Sequence, residues 1–280
     1  MKLHIFLPLI ILIIPPLTAC GQDSNWYLEL GIGPTFSGDL AQEGFNFDPS
    51  CYPGYFCGSA NITEPRSGYR WFYKIPTDPG LSFQVGAGKE HRSLRIDLNL
   101  RYSFRNLEQI FNRLTSLDDS PTPEYDPDSG VISTVTATIG RLQVASIRVN
   151  TFINLLPSQD RAFRPYLGIG TGVSRATVTD LYFEERFSCE NLPCKGDVSS
   201  YDSLQDEDLA DIVLLASGHA GVEYALTEKF LAGIRFSYAL HQTLSSEGTY
   251  IEHKVEELTN STNFSKLNLI TTMATVRYRL

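Results

Sequence analysis

The stretch Leu94-Arg95-Ile96-Asp97-Leu98-Asn99-Leu100-Arg101-Tyr102-Ser103-Phe104 alternates without a fault. Its even positions are apolar or aromatic, and its odd positions are charged or polar. Alternation this long is a strand with one dry face and one wet face. A helix would scatter Arg95, Asp97 and Arg101 around its surface and bury some of them. The length suits the ~9–11 residues of a tilted strand crossing a bilayer.

The same period recurs along the chain, near 26–36, 80–88, 144–155, 165–174, 212–225, 230–240 and 268–280. Between these segments the connections are alternately short and long. The short ones lie around Glu90 to Arg92, Pro157 to Arg161, and Thr227-Glu228-Lys229. The long ones cover about 37–79, 105–143, 175–211 and 241–266. Short turns on one side and long loops on the other mark an outer-membrane barrel, and they put both termini on the periplasmic side. Trp26, Tyr224, Phe230 and Tyr278 fall at that end of the dry faces, and Phe36, Tyr102, Phe104 and Tyr238 at the other, as two interfacial girdles. The expected fold is all-β: an eight-stranded antiparallel transmembrane up-and-down barrel with long outer loops, one domain over 22–280. An apolar content of 42% does not oppose this, because alternation averages to a soluble-looking value.

The N-terminus reads as an export signal over 1–21, with Lys2 before an apolar run from Ile5 to Leu17. Ala19-Cys20-Gly21 fits cleavage before Gln22, while Leu17-Thr18-Ala19-Cys20 resembles a lipobox that would place a lipid on Cys20. Simple cleavage is preferred, since a barrel needs no second anchor. Beyond this segment no apolar run approaches the ~20 residues of a membrane helix, so a membrane-embedded chain must be a closed barrel.

Three segments carry a family resemblance: Pro165-Tyr166-Leu167-Gly168-Ile169-Gly170, Ala220-Gly221-Val222-Glu223-Tyr224-Ala225-Leu226-Thr227, and Val276-Arg277-Tyr278-Arg279-Leu280. The chain resembles the small opacity-protein and OmpA-type, porin-like barrels of Gram-negative outer membranes. The resemblance implies location in the cell outer membrane and a last strand read by the barrel-assembly machinery. Leu280 departs from the Phe usual in that family, and no peptidoglycan-binding domain follows the last strand.

Glu29, Arg95, Asp97, Arg101, Arg148, His219, Glu223, Arg235, Arg277 and Arg279 fall on inward faces. They can be read as an ion path or a His219–Glu223 dyad. The preferred reading is a paired polar network filling the lumen, because eight strands leave room for side chains only and buried charges must pair. Cys51, Cys57, Cys189 and Cys194 all lie in outer loops of an oxidising compartment. Of the three possible connectivities, the local pairs Cys51–Cys57 and Cys189–Cys194 are preferred because they close short loops.

The outer loops are acidic, with Asp118, Asp119, Glu124, Asp126 and Asp128 in the second and Glu184 to Asp211 rich in carboxylates in the third. Solvation explains them, and divalent cations shared with lipopolysaccharide are the sharper alternative. Asp126-Pro127-Asp128-Ser129-Gly130 resembles part of a calcium loop but lacks its closing Glu, so no metal site is assigned. The formal charge of −9 argues against nucleic acid. No catalytic set stands out. His241 with Ser245 and Ser246 is a coincidence at the rim. The expectation is a non-enzymatic surface protein without cofactor, displaying its loops to an extracellular partner and surrounded by outer-membrane lipid and lipopolysaccharide. A lipid-modifying enzyme and a narrow channel are the alternatives.

Overall fold

The structure is a computed structural model describing residues 26–55, 68–118, 122, 126, 128–156, 162–190 and 197–280. The signal segment, with Cys20, lies outside the described residues, as do Cys57 and Cys194. The described strands, in chain order, are β1 (Trp26–Ser37), β2 (Leu40–Asn46), β3 (Tyr69–Ile75), β4 (Gly80–His91), β5 (Leu94–Asn106), β6 (Ile110–Ser116) and β7 (Val131–Thr138), followed by β8 (Arg141–Asn154), β9 (Phe163–Cys189), β10 (Ser203–Ala225), β11 (Phe230–His241), β12 (Leu244–Thr249), β13 (Thr259–Ser265) and β14 (Asn268–Arg279).

Eight of them close a barrel in the order β10-β11-β14-β1-β4-β5-β8-β9, with β9 returning to pair with β10. Every neighbour is antiparallel. Closure leaves the spanning strands no unpaired edge, which is the condition for crossing a bilayer with strands. On β5 the odd residues Arg95 to Arg105 are buried inside, and the even residues Leu94 to Tyr102 are exposed outside. The alternation of the sequence is therefore the alternation of the wall.

Among the described residues, parts of the long connections continue the wall upward as strands. A second, five-stranded sheet in the order β12-β13-β2-β3-β6 stands above the membrane barrel, and β7 pairs with the outer part of β9. We call this upper part the collar. β9 and β10 run through both parts, with 27 and 23 residues against the ~9–11 that a membrane needs.

One level separates barrel from collar. Six strands break there, at residues such as Gly38-Asp39, Pro76 to Pro79 and Gly140. β9 and β10 instead carry an irregular register between Glu207 and Leu209, where Asp180 adopts φ 54°. Such a bulge inserts one residue and flips the facing pattern. Val178 is buried below it and Leu181 above it. At this same level the interior is apolar: Leu40, Ile75, Leu107, Leu142, Val178, Leu209, Leu244 and Phe264 form the main buried cluster. The lumen is thus capped by a dry layer where it leaves the barrel.

Candidate functional site: a layered lumen and an outer cleft

The lower lumen is an ion-paired layer. Glu223 sits between Arg95, at 2.6 Å, and Arg277. Glu29 receives Arg235 at 2.7 Å and the Gln84 amide at 2.8 Å. Glu90 receives Arg279 at 3.0 Å and Arg277 at 3.4 Å. Asp97 accepts from Asn150 at 2.6 Å and Asn99 at 3.1 Å. Tyr166 donates no charge but accepts the Arg235 Nε–H at 3.1 Å, and Phe152 and Tyr166 lie under the guanidinium planes of Arg95 and Arg235. Hydrogen-bonded charge pairs stacked on rings are how a dry interior tolerates ions.

The upper lumen differs. Arg101 donates to Gln84 at 2.8 Å, Arg105 to Thr35 at 3.1 Å, and Arg148 to Ser146 at 3.0 Å. All three partners are neutral. Among the described residues of the membrane barrel, the buried cations are Arg95, Arg101, Arg105, Arg148, Arg164, Arg235 and Arg277, against the carboxylates Glu29, Glu90, Asp97 and Glu223.

The suspected His219–Glu223 dyad does not form. Glu223 is committed to its arginines, while His219 meets Ser237 through Nδ1 at 2.9 Å and Ser217 and Asn150 through Nε2 at 3.0 and 3.1 Å. His241 donates from Nδ1 to the Leu267 carbonyl at 3.1 Å and buries its Nε2, whereas Ser245 is exposed and its backbone N–H donates to Asp211. The rim coincidence therefore assembles no catalytic set.

A site that sequence reasoning missed lies at the top of the collar. Asp48, fully buried, accepts the Tyr52 hydroxyl at 2.5 Å. The Tyr52 hydroxyl meets His253 Nε2 at 3.0 Å, and the Val255 backbone N–H donates to His253 Nδ1 at 3.0 Å. An amide nitrogen can only donate, so Nδ1 is bare and Nε2 carries the proton. The chain of donation runs His253 to Tyr52 to Asp48. Burial holds the His253 ring below the ordinary histidine range, with Asp48 opposing in part. Burial, then the Asp48 carboxylate, pushes the Tyr52 phenol far up. Tyr52 stacks on Phe187 of β9 with centroids 5.6 Å apart, and its neighbour Tyr69 donates to the Ser50 carbonyl at 2.7 Å. These contacts pin the segment after β2 across the collar.

His253 also borders an open cleft of about 510 Å³ lined by Arg186, Ser199, Asp202, Tyr250, Glu252 and Glu256. Arg186 is held there by Glu252 at 2.6 Å, Glu184 at 2.9 Å and Asp202 at 3.2 Å. The residues involved are separated by up to 205 positions in sequence (Asp48 to His253), at spacings that match no motif. Among the described residues no cluster of three His, Cys, Asp or Glu side chains is arranged to hold a metal. Asp126 and Asp128 form a local turn, the Asp128 N–H donating to the Asp126 carboxylate at 3.0 Å. Cys51 and Cys189 are each disulfide-bonded, and the expected partners Cys57 and Cys194 lie outside the described residues.

The outside of the barrel decides where it works. Leu28, Leu30, Ile32, Val85, Leu98, Val149, Ile169 and Ile234 are each between 41% and 72% exposed, forming a continuous apolar belt. Trp26, Tyr224 and Phe230 flank it below and Phe36, Tyr102 and Tyr238 above, all exposed. No water-soluble surface carries an apolar band around its whole girth, and this one has the aromatic borders of a lipid interface.

The chain is an outer-membrane β-barrel.

No family model matches its sequence, and no curated protein matches it. Solved structures match over nearly the whole length. The outer membrane protein OprG from Pseudomonas aeruginosa is 11% identical over 92% of this chain and 97% of its own, with a TM-score of 0.48. Neisserial surface protein A is 13% identical over 92% and 98%, with a TM-score of 0.38. The outer membrane protease OmpT from Escherichia coli is 11% identical over 91% and 97%, with a TM-score of 0.41. All are outer-membrane proteins. The barrel assignment itself rests on the closed strand order and the apolar belt.

Proposed function

We propose that this barrel is a non-enzymatic surface protein that displays its collar, tied by disulfides, for adhesion or recognition of an extracellular partner. One observation carries the reading: the described parts of the four long connections include strands that extend the wall, so the chain invests much of its length in a stiff outer structure. Function on a rigid scaffold is usually carried by such outer segments. Outer-membrane lipid and lipopolysaccharide surround the belt, and the barrel-assembly machinery reads the last strand.

Two of the histidines, His219 and His253, argue against general-base chemistry. A general base needs a free ring nitrogen within reach of substrate. His219 and His253 use both nitrogens within the protein. A channel is opposed by the apolar layer above the paired lumen.

The test compares the full barrel with variants shortened in 105–143 and in 175–211, measuring binding to immobilised host matrix proteins and envelope components. Folding is retained, because the membrane parts of β5, β8, β9 and β10 are untouched, and binding is lost. Binding kept by the shortened barrels but lost in His219→Ala or Glu223→Gln moves the function into the lumen. Turnover in a lipid-hydrolysis or acyl-transfer assay on the purified protein overturns the non-enzymatic reading.

A further inference from the structure

The five-stranded sheet of the collar meets the long strands at two seams, and the two differ. Beyond β12 the seam is closed: the Ile251 N–H donates to the Leu204 carbonyl of β10 at 2.7 Å, and the Leu204 N–H donates to the Glu252 carbonyl at 2.9 Å. Between β6 and β7 no ladder forms among the described residues, because β6 pairs with β3 and β7 with β9. The two strands share a root, where the Leu107 N–H donates to the Gly140 carbonyl at 3.0 Å. Above it each leaves one edge of backbone N–H and C=O groups without a strand partner among the described residues.

The side chains beside this open seam are apolar and uncovered. Ile110, Phe111 and Leu114 on β6 and Ile132 and Val135 on β7 are all exposed. Two of them point into the collar. Phe111 lies opposite Tyr73 in ring contact with it, and Tyr73 packs on the buried apolar cluster. Val135 shares a face with Ser133, which lies opposite the buried Phe187. Yet Phe111 and Val135 are 58% and 54% exposed, whereas Ile75, near Phe111 in height on the adjoining β3, is fully buried. β7 itself, Val131-Ile132-Ser133-Thr134-Val135-Thr136-Ala137-Thr138, has no charge, no proline and no bulge. Those are the devices that keep an edge strand from pairing with another chain.

Edge N–H and C=O groups repeat at strand spacing, and another extended backbone is what matches them. A second copy of this chain does not supply it. All copies in one membrane stand the same way up, and β7 runs from the outer end of the collar down toward the membrane. A twofold axis along the membrane normal keeps that sense in both copies, so two β7 edges cannot run antiparallel. The tilt of barrel strands crosses them too steeply to pair in parallel. Resting on the display reading above, we propose that the seam between β6 and β7 docks an extended segment of a partner protein. The segment adds to the free edge of β7 as a strand. Apolar residues at every second position turn inward and cover Phe111 and Val135, and the outer positions carry no positive charge beside Arg113, whose guanidinium lies 4.4 Å from the Phe72 ring.

The probe is a short capped peptide alternating valine and threonine and carrying a dye, titrated onto the mature protein refolded in lipid nanodiscs. Fluorescence anisotropy reads binding, and hydrogen exchange reads the collar amides in parallel. Wild type is expected to bind one peptide saturably and to gain protection in β7 but not in β12. Val135→Lys and Phe111→Lys, on the two sides of the seam, lose the binding. Both positions are exposed in the free protein, so both variants fold. Ile251→Lys, at an exposed apolar position beyond β12, keeps the binding. The same peptide N-methylated throughout does not bind, because it has no N–H to offer the edge. Absence of saturable binding to wild type overturns the proposal, as does binding that survives both lysine variants. Binding of the N-methylated peptide also overturns it and marks the seam as an apolar patch for a small ligand. A wild-type dimer that Val135→Lys dissociates overturns it in favour of a second copy. Host matrix proteins separate the two readings. If Val135→Lys binds them as wild type does, the display reading stands and the seam is not its site. If wild type binds none, the display reading itself fails.

Discussion

The membrane barrel and the collar are two stretches of one wall, with the same chain passing through both, yet they are stabilised in opposite ways. The barrel wears its apolar residues outside and packs ions inside. The collar keeps water on its outer face and polar side chains on much of its inner face, such as Gln42, Asn46, Asn260 and Thr262. In the barrel an ion pair is dry: Arg95 and Glu223 are 0% and 2% exposed. In the collar it is wet: Arg186 and Glu252 are 40% and 50% exposed. The comparison teaches that the surrounding medium, and not the strand, decides which residues each face can carry.

The largest effect that sharpens this contrast comes from breaking one pair in each region. Glu223→Gln leaves Arg95 and Arg277 without their shared carboxylate and is expected to cost about 3–5 kcal/mol. Glu252→Gln is expected to cost about 0–1 kcal/mol, because water screens Arg186 and two other carboxylates still hold it. Denaturant titration into lipid vesicles reads both. Equal costs break the contrast.

Next in size is a charge placed on each outer face. Leu98→Arg enters the hydrocarbon and is expected to cost about 2–4 kcal/mol. Leu114→Arg, on the exposed face of β6, is expected to stay within about 0.5 kcal/mol.

A smaller effect is confined to the collar. The buried His253 titrates below its ordinary range. Between that ordinary value and the depressed folded one, the unfolded chain binds the proton and the folded chain does not. Collar stability therefore falls as pH falls below the ordinary histidine range, and it is fully present above it. Glu185, held above the usual carboxylate range by burial, acts in the opposite sense. The diagnostic quantity is the difference between wild type and His253→Gln in hydrogen exchange of collar amides between about pH 7.5 and 5.5. Wild type loses protection more steeply. Parallel profiles would remove His253 from the account.

The smallest effect concerns the disulfides. Mass spectrometry without reduction should find Cys51 linked to Cys57 and Cys189 linked to Cys194, and reduction should loosen the collar tip while leaving the barrel folded. Free thiols at all four positions contradict the disulfide-closed collar.

This division also explains what was legible in the sequence. The eight membrane strands were readable to within a few residues at most ends, because lipid on one side and a packed lumen on the other enforce strict alternation, as from Leu94 to Phe104. The exceptions are β9 and β10, which run on past their readable parts into the collar. β2, with Leu40-Ala41-Gln42-Glu43-Gly44-Phe45-Asn46, gives no strand signal in the sequence, since polar residues suit both of its faces and a glycine covered by the Trp71 indole interrupts it. The inward residues of the lumen could be placed by parity. Their pairing could not, because Arg235 and Glu29 meet 206 positions apart across the barrel. Nor was there a local signal for the Asp48–Tyr52–His253 chain, whose members are brought together only by the collar.

The central claim is that the even residues of β5 face lipid and the odd residues face a packed lumen. Spin labels at Leu98, Leu100, Asp97 and Asn99, in protein refolded into bilayers, test it most directly through accessibility to oxygen and to a water-soluble relaxation agent. The account predicts lipid exposure at 98 and 100 and none at 97 and 99. Lipid exposure at 97 and 99, or water exposure at 98 and 100, would contradict it.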